Sequence, residues 1–254
     1  MVEIEFIKII GVIATFISLL LAFFIFSTTS NNTFSNKLFG AYLILNAVEF
    51  SGFFASYIFN EPNNILVATR ELSYLQMPVF YLYILSVCYS DFKIQWKHLW
   101  HITPYIIGNL VMLPRFYLGS TAQKVELYNN FNQLPESYFS HIALHLQSTL
   151  YIIAGFIVLK RAKKIFVQNY SSGTIATYSW LFQLLFFTAM LYAIAIVKNV
   201  FKFFGNPENA TFAQNTIIVV VLCFVCWYVL KALKHPHLFS GVDSKTKLTA
   251  LCCV

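Results

Sequence analysis

Seven predominantly apolar runs alternate with polar interruptions along this chain: Ile9–Ser27, Leu38–Phe59, Glu71–Cys88, Leu99–Leu118, Phe139–Leu159, Tyr178–Phe204 and Ala213–Lys231. Each is close to the ~20 mostly apolar residues a membrane-crossing helix requires. The interruptions carry loop chemistry. They are the polar cluster at 27–32, Glu61-Pro62-Asn63-Asn64, the charged stretch 89–98, the long link 118–137 with Pro135, Ser171-Ser172-Gly173, and Gly205-Asn206-Pro207. The first run follows a basic residue, Lys8, as a signal peptide would. It is as long as a full span and six more follow, so it is expected to stay as a helix. The pattern predicts an all-α polytopic membrane protein. A bundle of seven transmembrane helices occupies residues 1–234, and a short cytoplasmic tail or linker remnant occupies 235–254.

Composition narrows the class further. Of 254 residues, 58% are hydrophobic, 18% aromatic and only 11% charged, against about 25% charged in a soluble domain. The aromatic content and low charge exclude a disordered chain. Nine glycines and five cysteines exclude collagen-like and disulfide-framework classes. Cys223 and Cys226 have C-x-x-C spacing but lie in an apolar run without a second ligand pair, so they are expected to pack rather than hold zinc. Leu251 stands where a prenylation signal needs cysteine.

The basic residues orient the chain. With the N-terminus outside, the inner loops and tail hold 11 Lys and Arg residues and the outer half holds 6. That asymmetry gives an N-out, C-in topology. Trp96, Trp100, Trp180 and Trp227 all fall near inner helix ends, where an amphipathic ring suits the headgroup level.

Polar groups within apolar spans are functional candidates, because a charge at mid-bilayer costs about 2.5 kcal/mol or more. Glu49 lies near the middle of the second span, three residues after Asn46, so both share one helix face. It reads either as a carboxyl bonding a neighbouring helix or as a ligand or proton site. His141 and His145, with Gln147, form an i, i+4 pair on the fifth span, but the metalloprotease Glu is missing and no metal is expected. Arg70 and Glu71 open the third span, ahead of Gln76 and the helix-distorting Pro78. Lys198, Asn199 and Lys202 sit in the outer part of the sixth, where snorkelling is the plain alternative. By depth, Glu49, Arg70, His141, His145 and Lys198 would line a polar pocket open to the outside, with Arg115 in the same half. No phosphate loop, kinase motif or nucleophile elbow occurs. The last run has no mid-helix lysine of the kind a retinal protein needs. No catalytic residue, cofactor or metal ligand is assigned, and the chain is not expected to be an enzyme.

Several segments, in order, suggest a family. They are Lys37-Leu-Phe-Gly-Ala-Tyr-Leu-Ile-Leu-Asn46, the run from Pro78 to Tyr89, His101-Ile-Thr-Pro104, His145-Leu-Gln147 with Tyr151, Trp180-Leu-Phe-Gln183, and the run from Trp227 to Pro236 with Leu238-Phe239. This arrangement resembles the N-terminal seven-helix membrane domain of bacterial membrane-bound AraC-type transcriptional regulators. In that family the membrane domain precedes a cytoplasmic helix-turn-helix domain. The segment 239–245 looks like the family linker, but residues 236–254 cannot hold two helix-turn-helix units, so the DNA-binding domain is absent here. The resemblance implies a sensor in the inner (cytoplasmic) membrane. Its partners would be the lipid bilayer and an unknown small-molecule or envelope signal, with a homodimer left open and no direct nucleic acid contact. Two other readings stand beside it: an intramembrane enzyme or small-solute carrier using Glu49 and His141/His145, and a non-functional truncated remnant.

Overall fold

The computed structural model describes residues 2–27, 33–55, 59, 63–89, 91–168 and 172–234. The described residues are predominantly helical, with no strand among them. The α-helices are α1 (Val2–Ser27), α2 (Thr33–Ser51), α3 (Asn64–Glu71), α4 (Ser73–Cys88), α5 (Thr103–Met112), α6 (Thr121–Asn130), α7 (Pro135–Gln168), α8 (Ser172–Phe204) and α9 (Pro207–Lys234). Four stretches are long and apolar enough to cross a membrane: Ile7–Ser27, Pro135–Lys163, Thr177–Phe204 and Glu208–Lys231. They contain the first, fifth, sixth and seventh predicted runs, apart from Val2–Phe6, which extend α1 beyond the first. The expected tail, 235–254, lies outside the described residues.

The other three runs fold differently, for readable reasons. The second forms α2, which starts earlier than predicted and ends at Ser51. Its Asn36, Lys37, Asn46 and Glu49 keep it short of an apolar span. The third forms α4, preceded by the short α3, whose last residue is Glu71. Asn63 caps α3 by accepting a 2.8 Å hydrogen bond from the Leu66 amide. Alone, the 16 residues of α4 reach about 24 Å at 1.5 Å per residue, against about 30 Å of hydrocarbon. The fourth is a composite. A 3₁₀ segment, Trp96–Ile102, starts with a reciprocal Gln95/His98 capping box. Helix α5 follows with Pro104 in its first turn, and a π-helical turn, Leu113–Tyr117, holds Pro114. Proline has no N–H to continue an α-helical ladder. The link after it contains α6, begun by a Ser120/Gln123 capping box.

Six helices close a ring, α1 against α2, α2 against α4, α4 against α7, α7 against α8, α8 against α9, and α9 back against α1. Helix α5 lies outside it, on α3, α4 and α7. We call the end where α8 turns into α9 upper and the end carrying Trp96 lower. The outward faces of the long helices are apolar, with Phe16, Phe23, Ile142, Leu146, Phe186 and Leu230 all exposed. A soluble surface would not carry so large a continuous apolar area; this is the profile of a membrane protein.

The ring is filled in its lower half by stacked aromatic rings. Phe39 lies 4.5 Å from Tyr83, Tyr42 lies 4.7 Å from Phe80, and Trp180 lies 5.3 Å from Tyr228 and 5.8 Å from Trp227. Trp96 and Trp100 are exposed, as interfacial rings should be, whereas Trp180 is fully buried. The expectation of a headgroup-level ring is therefore corrected for Trp180, which fills the space between α4 and α9. Lipid tails are as apolar as leucine, so such packing and interhelical hydrogen bonds carry helix association.

Helix α5 approaches through Gly108. A Cβ there would overlap the buried Glu71 carboxyl and the buried Tyr74 ring. Gly108→Val is expected to cost about 1–3 kcal/mol, the usual range for overpacking. Thermal unfolding of the detergent-solubilised protein measures it, and an unchanged midpoint would show that this seam is loose.

Candidate functional site

The ring encloses a cavity of about 130 Å³. Helix α2 contributes Tyr42, Asn46 and Glu49, α4 contributes Gln76, and α8 contributes Thr188 and Tyr192. Apolar walls come from α8 and α9, including Leu184, Leu191, Ile217 and Val221, and Tyr228 lies at the lower end. Glu49 is surrounded by helices, yet its side chain is exposed to this internal space rather than packed away from it.

A chain of hydrogen bonds fixes the polar wall. The Asn46 amide donates to the Tyr42 carbonyl oxygen at 2.8 Å. The Gln76 amide donates to Asn46 Oδ1 at 2.8 Å, and the Tyr192 hydroxyl donates to Gln76 Oε1 at 2.8 Å. Gln76 also faces Glu49. Three helices are thereby joined through side chains lining one space, and buried polar groups that satisfy one another specify a single arrangement.

Above this wall, α7 and α8 are laced by the histidine pair. His141 bonds through Nδ1 to the Ser137 carbonyl oxygen at 2.8 Å, and its Nε2 lies 3.3 Å from Lys202 Nζ. His145 Nε2 meets the Asn199 amide. Lys202 and Asn199 thus face the neighbouring helix. Lys198 has no hydrogen bond or ion pair among the described residues, and it lies within electrostatic range of Glu49, His141 and His145. Arg70 is exposed at the end of α3, 5.6 Å from the Phe131 ring centre, and within electrostatic range of His141 and Lys198. Of the five expected lining residues only Glu49 lines the cavity itself; His141 and His145 sit at the α7–α8 seam and Arg70 is exposed at the end of α3. Arg115 is engaged elsewhere, 3.2 Å from Glu136. Among the described residues no group of His, Cys, Asp or Glu has the spacing to hold a metal.

Two other features were singled out in the sequence. Pro78 sits inside α4 and removes the hydrogen bond that would reach back four residues to the Tyr74 carbonyl. Gln147 of α7 supplies the missing donor, its amide lying 2.8 Å from that oxygen. Cys223 and Cys226 are free and exposed on α9, which corrects the expectation that they pack within the protein. A larger groove of about 570 Å³ lies between α4, α5 and α7, lined by Tyr81, His101, Ile107, Leu146 and Tyr151 among others. It opens among the exposed apolar side chains of the outer surface and holds none of the five expected residues.

Reading single residues missed Tyr192 and Thr188. A stripe could have found them: Thr188, Tyr192, Ala195, Asn199 and Lys202 recur at helical spacing and mark the inward face of α8.

No family model, no characterised protein and no solved structure matches this chain.

Proposed function

We propose that this chain is a membrane-embedded signal-receiving domain. It crosses the cytoplasmic membrane seven times with its N-terminus outside and its C-terminus inside, and it works as the sensor half of an AraC-type regulator without touching DNA itself. Three observations support seven crossings. Helix α2 and helix α4 stand in the ring beside full-length helices, α3 lengthens α4 across the single residue Leu72, and the segment 96–117 packs along α4 and α7. The Lys and Arg distribution supplies the direction.

One observation carries the sensor reading: the cavity's polar wall belongs to α2, α4 and α8, while α9, which leads to the C-terminal segment, forms its apolar wall and lower end. Tyr228 stacks on Trp180, and Lys231 lies over both Trp180 and Trp227, at 5.4 and 5.0 Å from their ring centres. Lys231 is also tied to Gln183. A ligand that binds one packing of α9 better than another shifts the population toward it, and only that difference in affinity does work. The lower end of α9 then moves relative to α7.

Spin labels at Leu230 and Ile157, both exposed, test this in lipid nanodiscs, in a background with the five native cysteines replaced. The expected distance distribution has two populations whose ratio changes in Glu49→Gln. A single distribution unmoved by Glu49→Gln and Tyr192→Phe would refute the reading.

A further inference from the structure

We infer that the central cavity takes a small amphipathic amine, whose ammonium group pairs with Glu49. This rests on the ligand-receiving role proposed above and names its chemistry.

The donors of the polar wall are already directed at one another: Asn46 to the Tyr42 carbonyl, Gln76 to Asn46, Tyr192 to Gln76. What faces the open space at the Glu49 end is acceptor capacity. The Glu49 carboxyl is exposed to the cavity and has Gln76 as its side-chain hydrogen-bond partner, which leaves most of its acceptor capacity open. A carboxylate can accept up to about four hydrogen bonds. At the opposite end, the Tyr228 hydroxyl is buried without a hydrogen-bond partner among the described residues.

The remaining walls suit a cation with an apolar body. Six aromatic rings line the space, those of Tyr42, Phe50, Phe53, Tyr192, Phe224 and Tyr228, and such faces attract an ammonium group once it is desolvated. Leu184, Leu191, Val221 and Val225 line the same space and would hold the apolar part. Volume sets the size. An apolar cavity of about 150 Å³ takes benzene, so about 130 Å³ limits the occupant to at most one ring in bulk, with its polar group placed among the wall groups beside Glu49.

Lys198 is the competing cation. It stands one turn beyond the cavity-lining Ala195 on α8 and has no hydrogen bond or ion pair among the described residues. An amine inside the cavity meets Glu49 at contact distance, where Lys198 makes no contact. An anionic ligand would meet Glu49 as a like charge.

The test uses the full chain in phosphatidylcholine nanodiscs, titrated with benzylamine, benzyl alcohol or benzoate, with empty nanodiscs to subtract partitioning. Thermal unfolding and tryptophan fluorescence are followed. Benzylamine is expected to bind saturably and at least tenfold more tightly than benzyl alcohol, with no saturable benzoate binding. Glu49→Gln is expected to erase the preference for the amine, and Lys198→Met to strengthen amine binding several-fold. Ala195→Leu, which narrows the cavity and keeps the Glu49 carboxyl, is expected to abolish binding of both amine and alcohol. Benzoate binding as well as benzylamine, an amine preference that survives Glu49→Gln, or weaker amine binding in Lys198→Met would each overturn the inference. Benzylamine binding without a change in the Leu230–Ile157 distance would leave the amine site standing and defeat the sensor reading. A distance shift in Glu49→Gln without amine selectivity would do the reverse.

Discussion

Trp180→Ala is expected to lower stability by about 3–5 kcal/mol, the usual cost of truncating a fully buried large aromatic. Trp180 has no exposed surface, and its ring stacks on those of Trp227 and Tyr228, with Lys231 over it. Removing it deletes two ring contacts, each worth about 0.5–1.5 kcal/mol beyond area, and leaves a hole that rigid helices fill poorly. Trp180→Phe keeps an aromatic face and should lose much less. The effect should also reach α9, because Tyr228 touches both Trp180 and the cavity. The Leu230–Ile157 distance distribution is therefore expected to broaden in Trp180→Ala. Thermal unfolding together with that distance measures both parts. A loss below about 1 kcal/mol would show that the stack does not hold α9.

Gln147→Leu is expected to cost about 1–3 kcal/mol, because it strands a buried carbonyl. The oxygen concerned belongs to Tyr74, which lost its intrahelical partner to Pro78. The cause can be isolated by a double-mutant cycle. In a Pro78→Ala background the new backbone N–H can reach the Tyr74 carbonyl, and Gln147→Leu should then be nearly neutral. The coupling between the two changes is thus expected to equal most of the single-mutant loss. Equal costs in both backgrounds, measured by unfolding in the same detergent, would mean that Gln147 acts through packing alone.

Both predictions rest on features whose parts were legible in the chain but whose meeting was not. Pro78 announces a freed carbonyl four residues back, yet nothing in the sequence says that Gln147 of α7 answers it. The long apolar helices α1, α7, α8 and α9 were legible because their hydropathy runs unbroken for a bilayer's thickness. The fourth run was read as one helix; Pro104 and Pro114 signal the breaks within it, but apolar content outweighed them. Helix α3 is not legible because its eight residues, capped by Asn63, are too few for a periodicity to show. At the site, the i, i+3 spacing of Asn46 and Glu49 gave their common face, since helix geometry is local. Depth could bring Arg70, His141, His145 and Lys198 to one level but could not give rotation. Rotation is what separates Glu49, which lines the cavity, from the histidines, which lace α7 to α8. Trp180 was misplaced for the same reason.

The central claim is that the chain crosses the bilayer an odd number of times, so that the upper end of the ring faces outward and α9 delivers its lower end to the cytoplasm. Paired reporters, one active only outside the membrane and one only in the cytoplasm, fused before Met1 and after Asn63, Gln95, Asn129, Asn169, Glu208 and Val254, test it directly. The expected map is outside at Met1, Asn63, Asn129 and Glu208, and cytoplasmic at Gln95, Asn169 and Val254. Reporters at Met1 and Val254 active on the same face would contradict it.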